Sequence, residues 1–371
     1  MSKHQRRMVV KVGSSSLTDA MGRLSEQKMD RLVGQIVDMQ QDGRWQAVLV
    51  SSGAIAAGLG QLGWQRAHIS MPEKQAAAAV GQTVLMETYE RLFGRRGRSV
   101  AQLLLTRSDV EDRKRFIHIR NTVGALLRHG IVPIINENDT VAVDEIRFGD
   151  NDALAGLTAL VSEADRLVLL TDIDGLYTAN PRMNPDATLI SEVAAITESI
   201  EALAGGPGSS VGTGGMRTKI EAAKVAVQAG VEVVIANGEV PDVLVRIAND
   251  ERVGTWFRPS PERMGMRKMW LMHAPKPDGS ITIDEGAAQA LLQSSSSLLL
   301  PGIVDVVGDF HEGGVVTLIT RDGQIVGKGI ANYSARDLVE LVNRRKAGET
   351  LYNVHEVVHR NDMVLVEEAA R

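Results

Sequence analysis

The sequence predicts an α/β fold: an open, mostly parallel sheet sandwiched by helices, followed by a small β-barrel-like domain. Three observations carry this. Short apolar runs without polar alternation recur through the first 258 residues, as strands buried on both faces require. Helical stretches of 3.6-residue periodicity separate them. After residue 258 prolines cluster, and the pattern turns to short β-rich runs bounded by turn residues. A length of 371 residues, 44% hydrophobic and 23% charged, suffices for two globular cores.

The first strand is Met8 to Val12, opening into Gly13-Ser14-Ser15-Ser16. Ser25 caps a helix with apolar positions Met29, Leu32, Val33, Ile36 and Val37, and Gly43 stops it. Further buried strands are Ala47 to Val50, Val100 to Leu105, Ile131 to Ile135, Leu167 to Leu170 and Val231 to Ile235. Glu73 to Phe93 and Thr218 to Ala229 are helical stretches between them. The domain plan is residues 1–258, a linker 259–278 with one strand Arg267 to Met272, a β domain 279–355 and a tail 356–371. In the β domain the runs are Ile281 to Ile283, Gly302 to Val307, Val315 to Ile319 and Gln324 to Ile330, with Asp322-Gly323 as a hairpin turn.

Composition excludes several function classes. Cysteine is absent, so disulfides, thiolate metal sites and a cysteine nucleophile are excluded. No apolar run approaches the ~20 residues that span a bilayer. The opening MSKHQRRMVVKVG lacks the apolar stretch and cleavage site of a signal peptide, so a cytoplasmic protein without membrane partners is expected. The net charge is −5, and from Lys276 onward 9 basic face 14 acidic residues, so a strong nucleic-acid partner is not expected. The basic clusters Arg91 to Arg98 and Arg113 to Arg120 read as solvated or subunit-contacting faces.

Two formal motifs are decoys. Seven residues intervene between the strand end at Val50 and Gly58-x-Gly60-x-x-Gly63, whereas a dinucleotide fingerprint sits in the turn directly after a strand; a flexible loop is the expectation. His355-Glu356-Val357-Val358-His359 lies near the chain end with two β-branched residues, unlike a zinc-protease helix. There is no G-x-x-x-x-G-K-[ST] and no G-x-S-x-G.

The chemistry-bearing residues gather at strand carboxyl ends, where open α/β sheets bind ligands. Gly13 and Ser14 precede a helix and form an anion cradle. Lys11, between Val10 and Val12 in a buried strand, needs an anionic partner. Val211 to Lys219 (VGTGGMRTK) is a second glycine loop whose Lys219 opens a helix, where a cation opposes the macrodipole unless an anion binds. Asn136 to Thr140 (NENDT) and Gly149 to Asp152 (GDND) suit an ammonium group or hydrated Mg²⁺, and turn chemistry uses the same residues. Two lysines with two acid-amide clusters suggest phosphoryl transfer.

KVGSSSL, VSSGAIAAG, INENDTVA, FGDNDALA, LLTDIDGLY and GTGGMRTK, in that order, resemble the amino-acid kinase superfamily over residues 7 to 257. Residues 279 to 353 resemble a PUA domain. The resemblance implies ATP and Mg²⁺, with the metal bound mainly through ATP rather than by the protein. It implies transfer of the γ-phosphoryl to the γ-carboxylate of L-glutamate, the first step of proline biosynthesis. Lys11 and Lys219 would neutralise the transferring phosphoryl and Asp152 would hold both lysines. Gly13, Ser14, Thr171, Asp172, Thr213, Gly214, Gly215, Met216, Arg217 and Thr218 would complete the nucleotide site. Ser51, Asn136, Asp139, Asp150 and Asn151 would bind glutamate. Proline inhibition, a dimeric or tetrameric assembly and hand-over to glutamyl phosphate reductase are also implied. The competing readings are a sister kinase acting on acetylglutamate, aspartate, carbamate or UMP, and an RNA-binding protein led by its PUA domain.

Overall fold

A computed structural model describes residues 5–19, 21–65, 69–141, 151–205, 215–260, 268, 271, 277–293, 296–349 and 354–366. The chain divides into two compact units, Met1–Val110 with Lys114–Arg263, and Met264–Arg371 with Glu111–Arg113. The division falls inside the stretch read as a linker. Lys268 and Leu271, expected in a strand, are helical. The surrounding MRKMWLM has no β-branched residue and is rich in unbranched helix formers, which favours that outcome.

The first unit is built on an eight-stranded sheet. Its strands are β1 (Arg6–Val12), β2 (Trp45–Ser51), β3 (Val100–Leu105), β4 (Val132–Glu137), β5 (Arg166–Thr171), β6 (Glu192–Val193), β7 (Glu232–Asn237) and β8 (Thr255–Phe257). They lie in the order β3-β4-β2-β1-β5-β7-β8-β6, and only the β7–β8 pair is antiparallel. The strand order reverses beside β1, which places a ligand crevice at the carboxyl ends of β1, β2 and β5.

The helices are α1 (Glu26–Met39), α2 (Ala54–Leu62), α3 (Met71–Gly94), α4 (Arg107–Glu111), α5 (Arg113–Arg128), α6 (Asp152–Val161), α7 (Glu198–Ala204), α8 (Met216–Gln228) and α9 (Val243–Ala248). Ser25 caps α1 by accepting from the Lys28 amide, and Met29, Leu32, Val33, Ile36 and Val37 are all buried, as their spacing predicts. They join Met8, Val10 and Val12 of β1 and Val243, Leu244 and Ile247 of α9 in one core. The opposite face of β1 meets α6, which crosses α8. The basic run from Arg91 is paired within the unit: Arg91 and Arg95 meet Glu26, and Arg96 meets Asp30.

The expected loop around Gly58 and Gly60 is instead helix α2. Its glycines serve packing: a Cβ on Gly58 would stand 1.8 Å from the Ala77 carbonyl oxygen, and one on Gly81 would stand 1.8 Å from that of Ala54. Only hydrogen at these two positions lets α2 and α3 touch backbone to backbone. Glycine content alone suggests a loop, but here tertiary contact outweighs the helix cost of glycine, ~1 kcal/mol per residue.

The end of the sheet away from that crevice is closed by a stack of cations and rings. Arg166, 2% exposed, lies between Trp45 and Trp256, with its guanidinium carbon 5.1 Å and 4.6 Å from the two ring centres. Arg6 also lies over Trp45, at 4.0 Å, and Arg252 over Trp256, at 4.8 Å. Arg166 is also bonded to Glu232, to Asp250 and to the Ile247 carbonyl.

The second unit holds a five-stranded sheet: β9 (Gly279–Ile283), β10 (Ile303–Gly308), β11 (Val315–Ile319), β12 (Ile325–Ile330) and β13 (Met363–Leu365). The order is β10-β9-β11-β12-β13, with β9–β11 the parallel pair. Gly323, at φ +85°, turns the β11–β12 hairpin as Asp322-Gly323 predicts. Of residues 356–371, expected as a tail, Val357, Val358 and Met363 to Leu365 are buried in this unit. Val357 and Val358 are fully buried, Val358 bridges Leu298, and β13 pairs with β12. The two valines suit an extended, buried segment, so the His355–His359 spacing is not carried on a helix.

Arg166→Met removes one of the two guanidinium partners of Glu232, which keeps Arg258, along with the bonds to Asp250 and the Ile247 carbonyl, and is expected to cost about 1.5–3 kcal/mol. Urea unfolding followed by circular dichroism checks this, with the Michaelis constants of the folded variant unchanged.

Candidate active site

Register decides where Lys11 goes. Its partners across the sheet are Val50 and Leu169, both fully buried, so its stem lies in an apolar layer. Its ammonium emerges 2.7 Å from Oδ1 of Asp152, which opens α6 and is itself fully buried. A carboxylate in a helix's first turn also complements the helix dipole. Lys219, in the first turn of α8, donates from 3.0 Å to Oδ2 of the same carboxylate, and the Thr218 hydroxyl donates to it from 2.8 Å.

Helix packing makes this convergence possible. One turn beyond Asp152, Gly156 meets α8, where a Cβ would stand 3.1 Å from the Ala222 carbonyl oxygen. Two ammonium groups share one carboxylate, so the buried cluster has formal charge +1. The amino ends of α6 and α8 add positive potential. The arrangement suits a multiply charged anion such as a triphosphate.

Beside the cluster is a cavity of about 580 Å³, lined among others by Ser14, Arg23, Ser52, Gly53, Trp64, Asn136, Glu137, Asp139 and Asn151. Gly53, at φ +105°, turns the chain from β2 into α2 in a conformation open mainly to glycine. The Asn151 amide donates to the Ser51 carbonyl at 2.9 Å, the Ser52 hydroxyl at 3.1 Å and Asn136 Oδ1 at 2.8 Å. Burial pushes the Asp139 carboxyl up to about 6, and burial with the nearby Asp139 charge pushes Glu137 up to about 7. Two carboxylates held against their ionised form gain from a cation seated between them.

The residues expected from sequence are placed as follows. Lys11, Asp152, Thr218 and Lys219 converge; Asn136, Asp139 and Asn151 line or support the cavity. Ser51 is fully buried with its hydroxyl on Tyr89 at 2.8 Å, so it is the neighbouring Ser52 that lines the cavity. Gly13 and Ser14 open a short 3-10 turn after β1, and Ser14 also lines the cavity. Thr171 ends β5 and donates to Asp172 at 3.2 Å; Arg182 holds the other oxygen of Asp172 at 3.2 Å. Gly215 is the N-cap of α8, followed by Met216 and by Arg217, whose side chain is exposed and pairs with Glu221. Asp150, Thr213 and Gly214 lie outside the described residues. Sequence reasoning missed Gln82 and Tyr89; Glu137 stood inside the NENDT stretch without a role of its own, and Ser52 was passed over for Ser51. Gln82 carried a signal: it stands in the apolar stripe Ala78, Leu85, Tyr89 and Leu92 of α3.

The fold and the shared-carboxylate lysine pair define a class. The model of the amino acid kinase family matches residues 6–237, and that of the PUA domain matches residues 279–351. The chain belongs to the amino acid kinase family, with a PUA domain at its carboxyl end. Glutamate 5-kinase of Moorella thermoacetica is 48% identical over 365 residues, 97% of this chain and 96% of that protein. Glutamate 5-kinase of Carboxydothermus hydrogenoformans is 47% identical over 370 residues, 98% and 99% of the two chains. A solved UMP kinase of Bacillus anthracis covers 69% of this chain and 96% of its own, with TM-score 0.47 and 14% identity.

Two outcomes test this site. Lys219→Ala removes one of two cations while Asp152 keeps Lys11, so turnover is expected to fall by about 10²–10³. The melting temperature of that variant should change little, and a variant with full turnover refutes the assignment. The raised carboxyl of Glu137 favours the folded state while protonated, so its contribution is lost as pH rises from about 4.5 through about 7. Glu137→Gln is therefore expected to gain thermal stability over wild type at pH 8 relative to pH 5, read by scanning fluorimetry.

Proposed function

We propose that this chain transfers the γ-phosphoryl of ATP to the γ-carboxylate of L-glutamate, giving L-glutamyl 5-phosphate, the first step of proline biosynthesis. The single observation that carries the mechanism is the buried Lys11–Asp152–Lys219 cluster, next in sequence to Asn151 of an acid-lined cavity. The two relatives above, matched over nearly their whole length, support glutamate as the acceptor.

The attacking group is a carboxylate with an ordinary pKa of about 4.3, already ionised at neutral pH. No general base is needed. A γ-carboxylate oxygen forms the new O–P bond as the bond from phosphorus to the β,γ-bridging oxygen breaks, and that electron pair leaves with ADP. Charge spreads over the transferring group and its leaving oxygen, and the two ammonium groups neutralise it. Asp152 fixes their separation beforehand, so no reorganisation is demanded during transfer. Thr171, Asp172, Gly215, Arg217 and the residues near Gly13 and Ser14 are assigned to the nucleotide. Asp139 and Asn151, with Ser52 and Glu137 beside them, are assigned to the acceptor, whose ammonium suits the two carboxylates.

ATP is the donor that the family implies, and Mg²⁺ would accompany it, lowering the charge of the triphosphate. Both oxygens of Asp152 are taken by lysines, so the protein's donors here suit phosphate oxygens rather than a bare cation. On the family resemblance the proposal extends to a cytoplasmic setting, inhibition by proline, a dimer or tetramer, and hand-over of the labile acyl phosphate to a reductase. No helix among the described residues is long and apolar enough to cross a membrane.

Incubation with ATP, Mg²⁺, glutamate and hydroxylamine should yield glutamate-dependent hydroxamate. Turnover only with acetylglutamate, aspartate or another acceptor would move the assignment to a sister kinase. Glutamate affinity should rise between about pH 5.5 and 8 as Asp139 and Glu137 ionise, measured as KM across that range.

A further inference from the structure

A line of four side-chain amides runs from the cavity to the surface. Asn151 donates to Asn136 Oδ1 at 2.8 Å, Asn136 donates to Gln82 Oε1 at 2.8 Å, and Gln82 donates to Gln102 Oε1 at 3.0 Å. Asn136, Asn151 and Gln82 are buried; Gln102, on the edge strand β3, is exposed.

The direction of the line is fixed by two backbone groups. The Ser51 carbonyl can only accept, so Asn151 must turn its NH₂ toward it, at 2.9 Å. The Glu137 amide can only donate, so Asn136 must turn its oxygen toward it, also at 2.9 Å. The NH₂ of Asn136 then faces α3 and requires an oxygen there, which Gln82 supplies. The Oδ1 of Asn151 takes no part in the network, so the edge of Asn151 left for the cavity is an acceptor.

We propose that Gln82 is a positioning residue for the amino-acid acceptor: by accepting from the Asn136 NH₂ that the backbone contacts turn toward α3, it stabilises Asn136 and Asn151 in the amide orientation that offers an oxygen, not an NH₂, to the acceptor's ammonium. The placement of Gln82 is itself fixed. Its neighbour Gly81 lies backbone to backbone against α2, and Tyr89, two turns along the same helix, holds the Ser51 hydroxyl. Helix α3 thus forms the rear wall of the acceptor site without touching the acceptor. The inference rests on the functional reading above.

The test uses the full chain and two substitutions. Gln82→Met keeps the length and removes the acceptor, leaving the Asn136 NH₂ unsatisfied. KM for glutamate should rise about tenfold or more, while KM for ATP stays within about twofold. Gln82→Glu keeps an oxygen for Asn136, and exposed Gln102 can turn its amide to suit, so KM for glutamate should return most of the way toward wild type. Equal rises in both KM values, an unchanged KM for glutamate in Gln82→Met, or no recovery in Gln82→Glu each overturn the assignment. Wild-type turnover with glutamate is measured first. Its absence would sink the functional reading alone, and the same KM split would then be read with the acceptor that does support turnover.

Discussion

One carboxylate organises this molecule's chemistry. Asp152 is the counter-charge for two lysines 208 positions apart in the sequence, and neither lysine could remain charged inside the α/β layer without it. Its own burial is tolerable because both oxygens are occupied and it starts a helix, where negative charge is favoured. The three groups carry one formal positive charge in excess, so they are preorganised for an anion yet stable enough to exist before one arrives.

Close helix crossings turn that requirement into geometry. Gly156 lets α6 and α8 approach, which brings Lys219 onto Asp152. Gly58 and Gly81 do the same for α2 and α3, and so connect packing of the unit to the acceptor side of the cavity. A methyl at any of these positions would push apart helices that carry functional groups. Small residues here act on function through distance rather than through contact with a ligand.

The two ends of the eight-stranded sheet use buried charge in opposite ways. At the amino end of β5, Arg166 is satisfied on all sides by two indoles, two carboxylates and a carbonyl, an arrangement complete in itself. At the carboxyl end of β1, two lysines share one carboxylate, and Glu137 and Asp139 are held above their ordinary range. The first arrangement serves stability; the second is the one suited to a substrate.

Much of this was legible in the sequence. Alternating apolar runs and amphipathic stretches are local patterns, so the strands, the helices and the carboxyl-end position of the chemistry follow from them. Lys11 between two valines signalled a buried counter-charge by the same logic. What local pattern cannot give is which face a polar side chain meets. Sequence alone made Gly58 and Gly60 a loop, chose Ser51 over Ser52 for the cavity and treated Val357 to Leu365 as a tail. In each case the deciding partner is distant in the chain: Ala77 for Gly58, Tyr89 for Ser51, Leu298 for Val358. The sequence by itself determined the elements and the chemical groups on offer, because those depend on neighbours a few residues away. Only the tertiary structure decided which groups share a carboxylate, a cavity or an amide network, because those depend on register and helix approach between different elements of the chain.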